Sequence, residues 1–184
     1  MTVDEFAQRV AHHCDELQIE SEDYFYTALN SALCSVLAEF PIVKSVEYEH
    51  VASNSQTIVK MSSLARDFAS FSSPAILAEI PIPGVRPMVD GRLGQILFPA
   101  DAEGKFTIFY NEAIPTVTRN TKTIPVEGER LELLVLQVAY RLLLIDESYD
   151  AAAGVKRIYD ETAAIIRQGQ YKSDIAVKDI YGWC

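Results

Sequence analysis

The stretch Phe106-Thr-Ile-Phe-Tyr-Asn-Glu-Ala-Ile-Pro115, with the Thr/Asn/Pro-rich link and the two apolar segments that follow it to Gln168, decides how this chain folds. Lys105 to Tyr110 reads as a strand. A helix is expected from Glu129 to about Glu147. Its apolar positions Leu131, Leu133, Leu134, Val135, Leu136, Val138, Ala139, Leu142, Leu143, Leu144 and Ile145 cover nearly every side. A helix apolar all round must be buried by neighbours on several faces. At ~1.5–3 kcal/mol per fully buried large apolar side chain, it supplies most of the core. Asp146-Glu-Ser-Tyr-Asp150 breaks it, and an amphipathic helix from Asp150 to Gln168 follows, with Val155, Ile158, Tyr159, Thr162, Ile165 and Ile166 inward and Gly169 as the C′ residue. The segment is a strand feeding a buried helical hairpin.

Working back toward the N-terminus, Thr2 and Glu5 form a T-x-x-E capping box for a helix from Val3 to about Leu17, with Val3, Phe6, Val10, Cys14 and Leu17 at helical spacing. Ser21 is an acceptable N-cap for a second helix, whose face is Phe25, Ala28, Leu29, Ala32, Leu33, Val36, Leu37 and Phe40, and Pro41 stops it. Between the helical pairs the period changes. Val46, Tyr48 and His50 alternate with Glu47 and Glu49, and Thr57–Met61, Ala75–Ile80 and Gly94–Phe98 read as further strands. Asp101-Ala-Glu-Gly104 signals a hairpin turn between the last two strands, while Val51–Ser55 and Ser70–Ser73 read as mobile connections. Pro81, Pro83 and Pro87 fit an edge or a loop, not a central strand.

The expected fold is therefore α+β and mainly helical: a four-helix bundle, with two N-terminal and two C-terminal helices, a β-strand or hairpin insertion and an extended C-terminal tail. Residues 1–184 form a single domain in this reading, divided into 1–44 and 128–169 for the helical pairs, 45–127 for the insertion and 170–184 for the tail.

Composition bounds the function. With 26 acidic against 16 basic residues the net charge is −10, which argues against a sequence-reading nucleic-acid binder but not against a protein that lets DNA pass. The run from Leu131 to Ile145 falls short of the ~20 residues that span a bilayer. The start at Asp4-Glu5 does not suit a signal peptide. Cys14, Cys34 and Cys184 have no CxxC spacing and form an odd count, so no disulfide scaffold is expected and synthesis in a reducing cytosol is.

No chemistry-bearing constellation stands out. Adjacent helical residues point about 100° apart, so His12-His13-Cys14 cannot converge on one ion, and no metal or cofactor is expected. The pairs Glu47/Glu49 and Asp101/Glu103 fit wet strand faces and turns. Gly91-Arg-Leu-Gly94 lacks the spacing of a phosphate-binding loop. No catalytic residue is assigned, and the chain reads as a non-enzyme. The tail carries Ile175, Val177, Ile180, Tyr181 and Trp183 between polar residues. It could fold back on its own core, but the preferred reading is a segment that docks on another subunit.

Several of these stretches together resemble the head–tail connector (adaptor) proteins of tailed bacteriophages. They are Tyr24-Phe-Tyr-Thr-Ala-Leu-Asn-Ser-Ala-Leu33 with Phe40-Pro41, the strand Phe106–Tyr110 leading to Pro115, Leu133-Leu-Val-Leu-Gln-Val-Ala-Tyr140, the acidic break Asp146–Asp150, and Ala151-Ala-Ala-Gly-Val-Lys-Arg-Ile-Tyr159-Asp-Glu161. The likeness is one of layout across most of the chain, and the β insertion is larger than in the smallest such proteins. It implies a virion protein made in the host cytoplasm that forms a homo-oligomeric ring, often of twelve copies, at the neck. The ring's partners would be the portal protein and a tail, stopper or terminator protein, with DNA passing through the lumen and no membrane contact. The C-terminal tail would dock on the portal. Another neck or tail-completion protein is the nearest alternative, and a small enzyme or regulatory module without a visible motif is a more distant one.

Overall fold

In the computed structural model, residues 1–14, 22–78 and 86–181 are described, with residues 22 and 170–181 described in the backbone only. The elements among them are α1 (Val3–His12), α2 (Glu22–Glu39), β1 (Val43–His50), β2 (Thr57–Lys60), the single turn α3 (Met61–Leu64), β3 (Phe68–Ala78), β4 (Met88–Asp90), β5 (Gln95–Phe98), β6 (Gly104–Glu112), α4 (Glu129–Ile145) and α5 (Tyr149–Tyr181). They form two compact units. The helical unit takes in Met1–Phe40 and Pro115–Cys184, and the β unit takes in Pro41–Ile114.

This is not the mainly helical four-helix bundle expected. Among the described residues there are five helices and two three-stranded antiparallel sheets. The β region is larger than a hairpin because it builds its own core. Sheet order is β1-β6-β3 in one sheet and β2-β5-β4 in the other. Strand alternation turns Ile96 and Phe98 of β5 toward Phe106, Ile108 and Tyr110 of β6, and Val59, Met61, Ala65 and Ala102 complete the buried cluster. The turn after Pro99 was expected to close a hairpin. It reverses the chain, but β5 pairs with β2 and β4 while β6 pairs with β1 and β3, so the turn passes from one sheet to the other. The Ser70–Ser73 stretch, expected as a connection, belongs to β3. That strand pairs with β6 irregularly, with register shifts between Phe68 and Ser70 and between Phe71 and Ile76.

In the helical unit the Thr2/Glu5 capping box forms as expected: the Thr2 N–H donates to Glu5 Oε2 at 2.8 Å and the Glu5 N–H to Thr2 Oγ1 at 3.2 Å. Helix α1 ends at His12, and Leu17 and Ser21 lie outside the described residues. Phe6 and Phe25 meet edge to face at 6.3 Å, joining α1 to α2. Helix α4 buries Leu133 through Ala139 without a break, plus Leu142 and Leu143, as an all-round apolar helix should. The long link before it is tied to α2 by Asn30, whose Nδ2 donates to the Val117 carbonyl and whose Oδ1 accepts from the Val117 N–H, both at 2.8 Å. Arg130 Nε donates to the Phe40 carbonyl at 2.9 Å, satisfying one of the acceptors that the end of α2 leaves open.

Helix α5 departs from expectation twice. Its buried face is Ala152, Val155, Tyr159, Ala163 and Ile166, whereas Ile158 and Ile165 point outward. These two isoleucines each sit one residue before a core position, and one residue is about 100° of helix. The helix also continues through Gly169 to Tyr181, replacing the extended tail. Gly169 has no positive φ, so it does not make the left-handed C′ turn that ends helices.

Candidate docking surfaces

The docking segment expected from sequence, 170–184, lies mostly within α5. Its backbone is helical through Tyr181, and Trp183 lies outside the described residues. Helical spacing puts Val177, Ile180 and Tyr181 along one side, at i, i+3 and i+4, and Ile175 on another. An extended segment would instead have set the odd-numbered positions 175, 177 and 181 together.

Upstream, α4 and α5 bound an open groove of about 680 Å³, lined by Tyr140, Leu144, Tyr149, Ala152, Lys156 and Asp160 among others. Two apolar side chains at the α4–α5 corner stand out into solvent, Ile145 at 56% exposure and Tyr149 at 64%. The charges along the groove are paired within α5. Lys156 Nζ lies 2.5 Å from Asp160 Oδ1 and 4.8 Å from the Tyr159 ring centroid, and Arg157 reaches Glu161 at 3.9 Å. Such exposed i,i+4 pairs are worth ~0.3–0.5 kcal/mol each. The groove offers apolar contact with a neutralised rim, a surface suited to association.

The β unit holds the strongest electrostatic cluster. Lys44 Nζ on β1 reaches Asp67 Oδ2 at 2.6 Å and Glu112 Oε1 at 2.8 Å, and the Tyr110 hydroxyl donates to Asp67 Oδ1 at 2.9 Å. Hydrogen bonds from Lys44 and then Tyr110 hold the Asp67 carboxyl below its usual range. The bonds from Lys44 to Asp67 and Glu112 raise the ammonium, and burial followed by the bond to Asp67 raises the Tyr110 phenol. Sequence reading missed this cluster, whose bonded pairs lie 23 to 68 residues apart. Both oxygens of Asp67 and one of Glu112 meet a donor, so the arrangement acts as a clasp between β1, the residue before β3, and β6.

The remaining sequence candidates disperse. The rings of His12 and His13 sit 6.0 Å apart at 71°, and burial, followed by the charges of His12 and Arg9, lowers His13. No group of three or more metal-ligating residues comes together among the described residues. Buried His50 stacks 4.7 Å from Phe98 as part of the β core, and its Nε2 has no hydrogen-bond partner among the described residues. Gly91–Gly94 forms the β4–β5 turn: Asp90 Oδ1 accepts the N–H groups of Arg92 and Leu93, and Gly94 has φ +59 where a Cβ would meet Phe68 Cε1 at 3.0 Å. Among the described residues no helix is long and apolar enough to cross a membrane. Compared with known proteins, the chain matches no protein-family model and no curated protein.

Proposed function

We propose that this chain is a non-catalytic subunit of the ring that joins the portal vertex of a tailed-bacteriophage head to the tail and continues the DNA channel. The observation that carries this reading is the layout. Met1–Phe40 and Pro115–Cys184 close into one helical unit, and the chain leaves it at Pro41 and returns at Pro115 after building a separate β unit. That arrangement extends the resemblance drawn from Tyr24–Leu33, Leu133–Tyr140 and Ala151–Glu161. Two further features support it. Apolar side chains remain exposed at the α4–α5 corner, where a neighbouring subunit could cover them. The net charge of −10 suits a lumen that repels phosphate, so that DNA slides through without sticking.

In this role the C-terminal part of α5 docks on the portal. Neighbouring copies and a tail, stopper or terminator protein take other faces. Gold-labelled antibody against the chain, viewed by electron microscopy on purified virions, should mark the neck. Particles that lack the chain altogether would overturn the assignment. A chain truncated after Gly169 keeps every described buried side chain of α5, so it should fold and yet fail to bind isolated portal rings. Portal binding at the full-length level by that truncation would remove the docking role from α5.

A further inference from the structure

The second sheet carries an ordered outer face. Ile58 of β2 stands opposite Leu97 of β5, and Leu97 opposite Met88 of β4, while Lys60, Gln95 and Asp90 form the next row. Side chains two apart on a strand share a face, so these six lie together, and Val59 and Ile96 turn inward to the core. Ile58 is 59% and Met88 67% exposed, an apolar row that is open to solvent. Lys60 forms no ion pair among the described residues. Asp90 uses Oδ1 to hold the Arg92 and Leu93 N–H groups, and its other oxygen forms no ion pair there.

Read from β2 to β4, the polar row runs positive, neutral, negative, and the other row is apolar throughout. A two-fold axis parallel to the strands lays β2 of one copy over β4 of the next. Lys60 then faces Asp90, Gln95 faces Gln95, Ile58 faces Met88 and Leu97 faces Leu97. Such a face is complementary to itself, which is what an isologous contact requires. Stacked sheets of this kind pack ~10 Å apart, a distance these side chains can fill. We propose that the free chain pairs two-fold with a second copy through the outer face of β2-β5-β4.

The face is small, since three strands about 4.8 Å apart cover far less than the ~800 Å² per partner of a standard interface. Pairing is therefore weak, with half-association at roughly 0.1–1 mM chain. It stands apart from the connector reading, because a two-fold contact closes on itself and cannot grow into a ring. In a connector it describes the subunit before assembly.

Sedimentation equilibrium of the full chain from ~10 µM to ~1 mM tests it, with the mass expected to rise toward twice that of the monomer. Ile58→Glu and Met88→Lys alter exposed side chains and should each hold the mass at monomer. Their equimolar mixture should recover association, because the new carboxylate at 58 faces the new ammonium at 88 across one contact while the other contact stays native. In a background with Cys34→Ser and Cys184→Ser, Leu97→Cys should be cross-linked as a dimer by a short bis-maleimide, because thiols on sheets ~10 Å apart are too far for a direct disulfide. A wild-type chain monomeric throughout, association untouched by Ile58→Glu, or a mixture no better than either variant alone would each overturn the pairing. None of those outcomes bears on whether the chain is found at the virion neck.

Discussion

Helix α4 buries seven consecutive residues from Leu133 to Ala139, whereas β5 and β6 bury only every second side chain. The helical unit thus rests on one contiguous apolar rod gripped by α1, α2 and α5. The β unit instead rests on two sheets that each contribute one face to a core rich in aromatic rings. A core built by alternation is the more brittle design, because a one-residue slip of a strand turns its whole inner face outward. In a helix gripped from several sides, no comparable single shift empties the core.

The largest test of this contrast removes one side chain from each core. Phe98 is fully buried, with ring centroids of His50, Phe106 and Tyr48 at 4.7, 5.0 and 5.1 Å. Phe98→Ala should destabilise the β unit by about 3–5 kcal/mol, the cost of losing the ring and keeping the hole. Leu133→Ala should cost the helical unit about 2–5 kcal/mol. Hydrogen exchange separates the two: protection should fall over 41–114 for the first variant and over α1, α2 and α4 for the second. If either variant loosened both units equally, two independent cores would be the wrong description.

Asn30 sharpens the contrast from the helical side, because the link into α4 is held by scattered bonds, from Asn30 to Val117, from Arg119 to Asp23 and in a single bridge between Thr2 and Thr123, where the β strands are secured by ladders. Asn30→Ala leaves the N–H of the buried Val117 without its partner, at a cost of about 2 kcal/mol. Urea unfolding should show it as a lower midpoint with an unchanged slope. An unmoved midpoint would mean that the other bonds and apolar contacts of the link hold it without Asn30.

How far the sequence disclosed this architecture depended on the range of the signal. The Thr2/Glu5 box and the all-round apolar α4 are local patterns whose physics is complete within one or two turns, and both formed as read. The turn at Asp101–Gly104 was a true reversal, yet turn residues do not say which sheet the next strand joins. Ser70–Ser73 looked like a connection because serines are polar. The strand persists there with help from Asn111, whose Nδ2 donates to Ser70 Oγ at 2.9 Å. Gly169 looked like a stop, but a glycine ends a helix only by adopting positive φ, and within a helix it costs only ~1 kcal/mol. The docking positions 177, 180 and 181 were named for their residue types, and only the helical backbone sorts them from 175. The Lys44–Asp67–Glu112 clasp and the Ile58–Leu97–Met88 row were out of reach, since both are made by strand register.

A smaller effect is expected at the first helix. Thr2→Ala removes the hydroxyl that accepts the Glu5 N–H and should cost the helical unit about 1 kcal/mol. Amide exchange at Asp4 and Glu5 should quicken first. Exchange that quickens over the β unit instead would undo the separation drawn between the two regions.

The smallest effect belongs to the clasp, and its sign follows from the direction of each shift. A carboxyl held low in the folded state contributes stability above its unfolded value of about 3.9, and that contribution is lost as pH falls through the lower folded value. Asp67 is such a group. Lys44 and Tyr110 are raised, so their contributions are complete below about 10 and fade as pH climbs past that into the raised range. The β unit should therefore hold its stability across the neutral range and weaken at both extremes. Lys44→Met should flatten the acid limb attributable to Asp67, leaving Asp67 and Glu112 without their shared cation. Because Lys44 and Asp67 remain in contact with solvent, added salt should shrink the difference between wild type and variant. Unfolding midpoints taken from neutral to acid pH at low and high salt would check this. An acid limb equally steep in Lys44→Met would place the titrating carboxylates elsewhere, and the clasp would then be geometry without energetic weight.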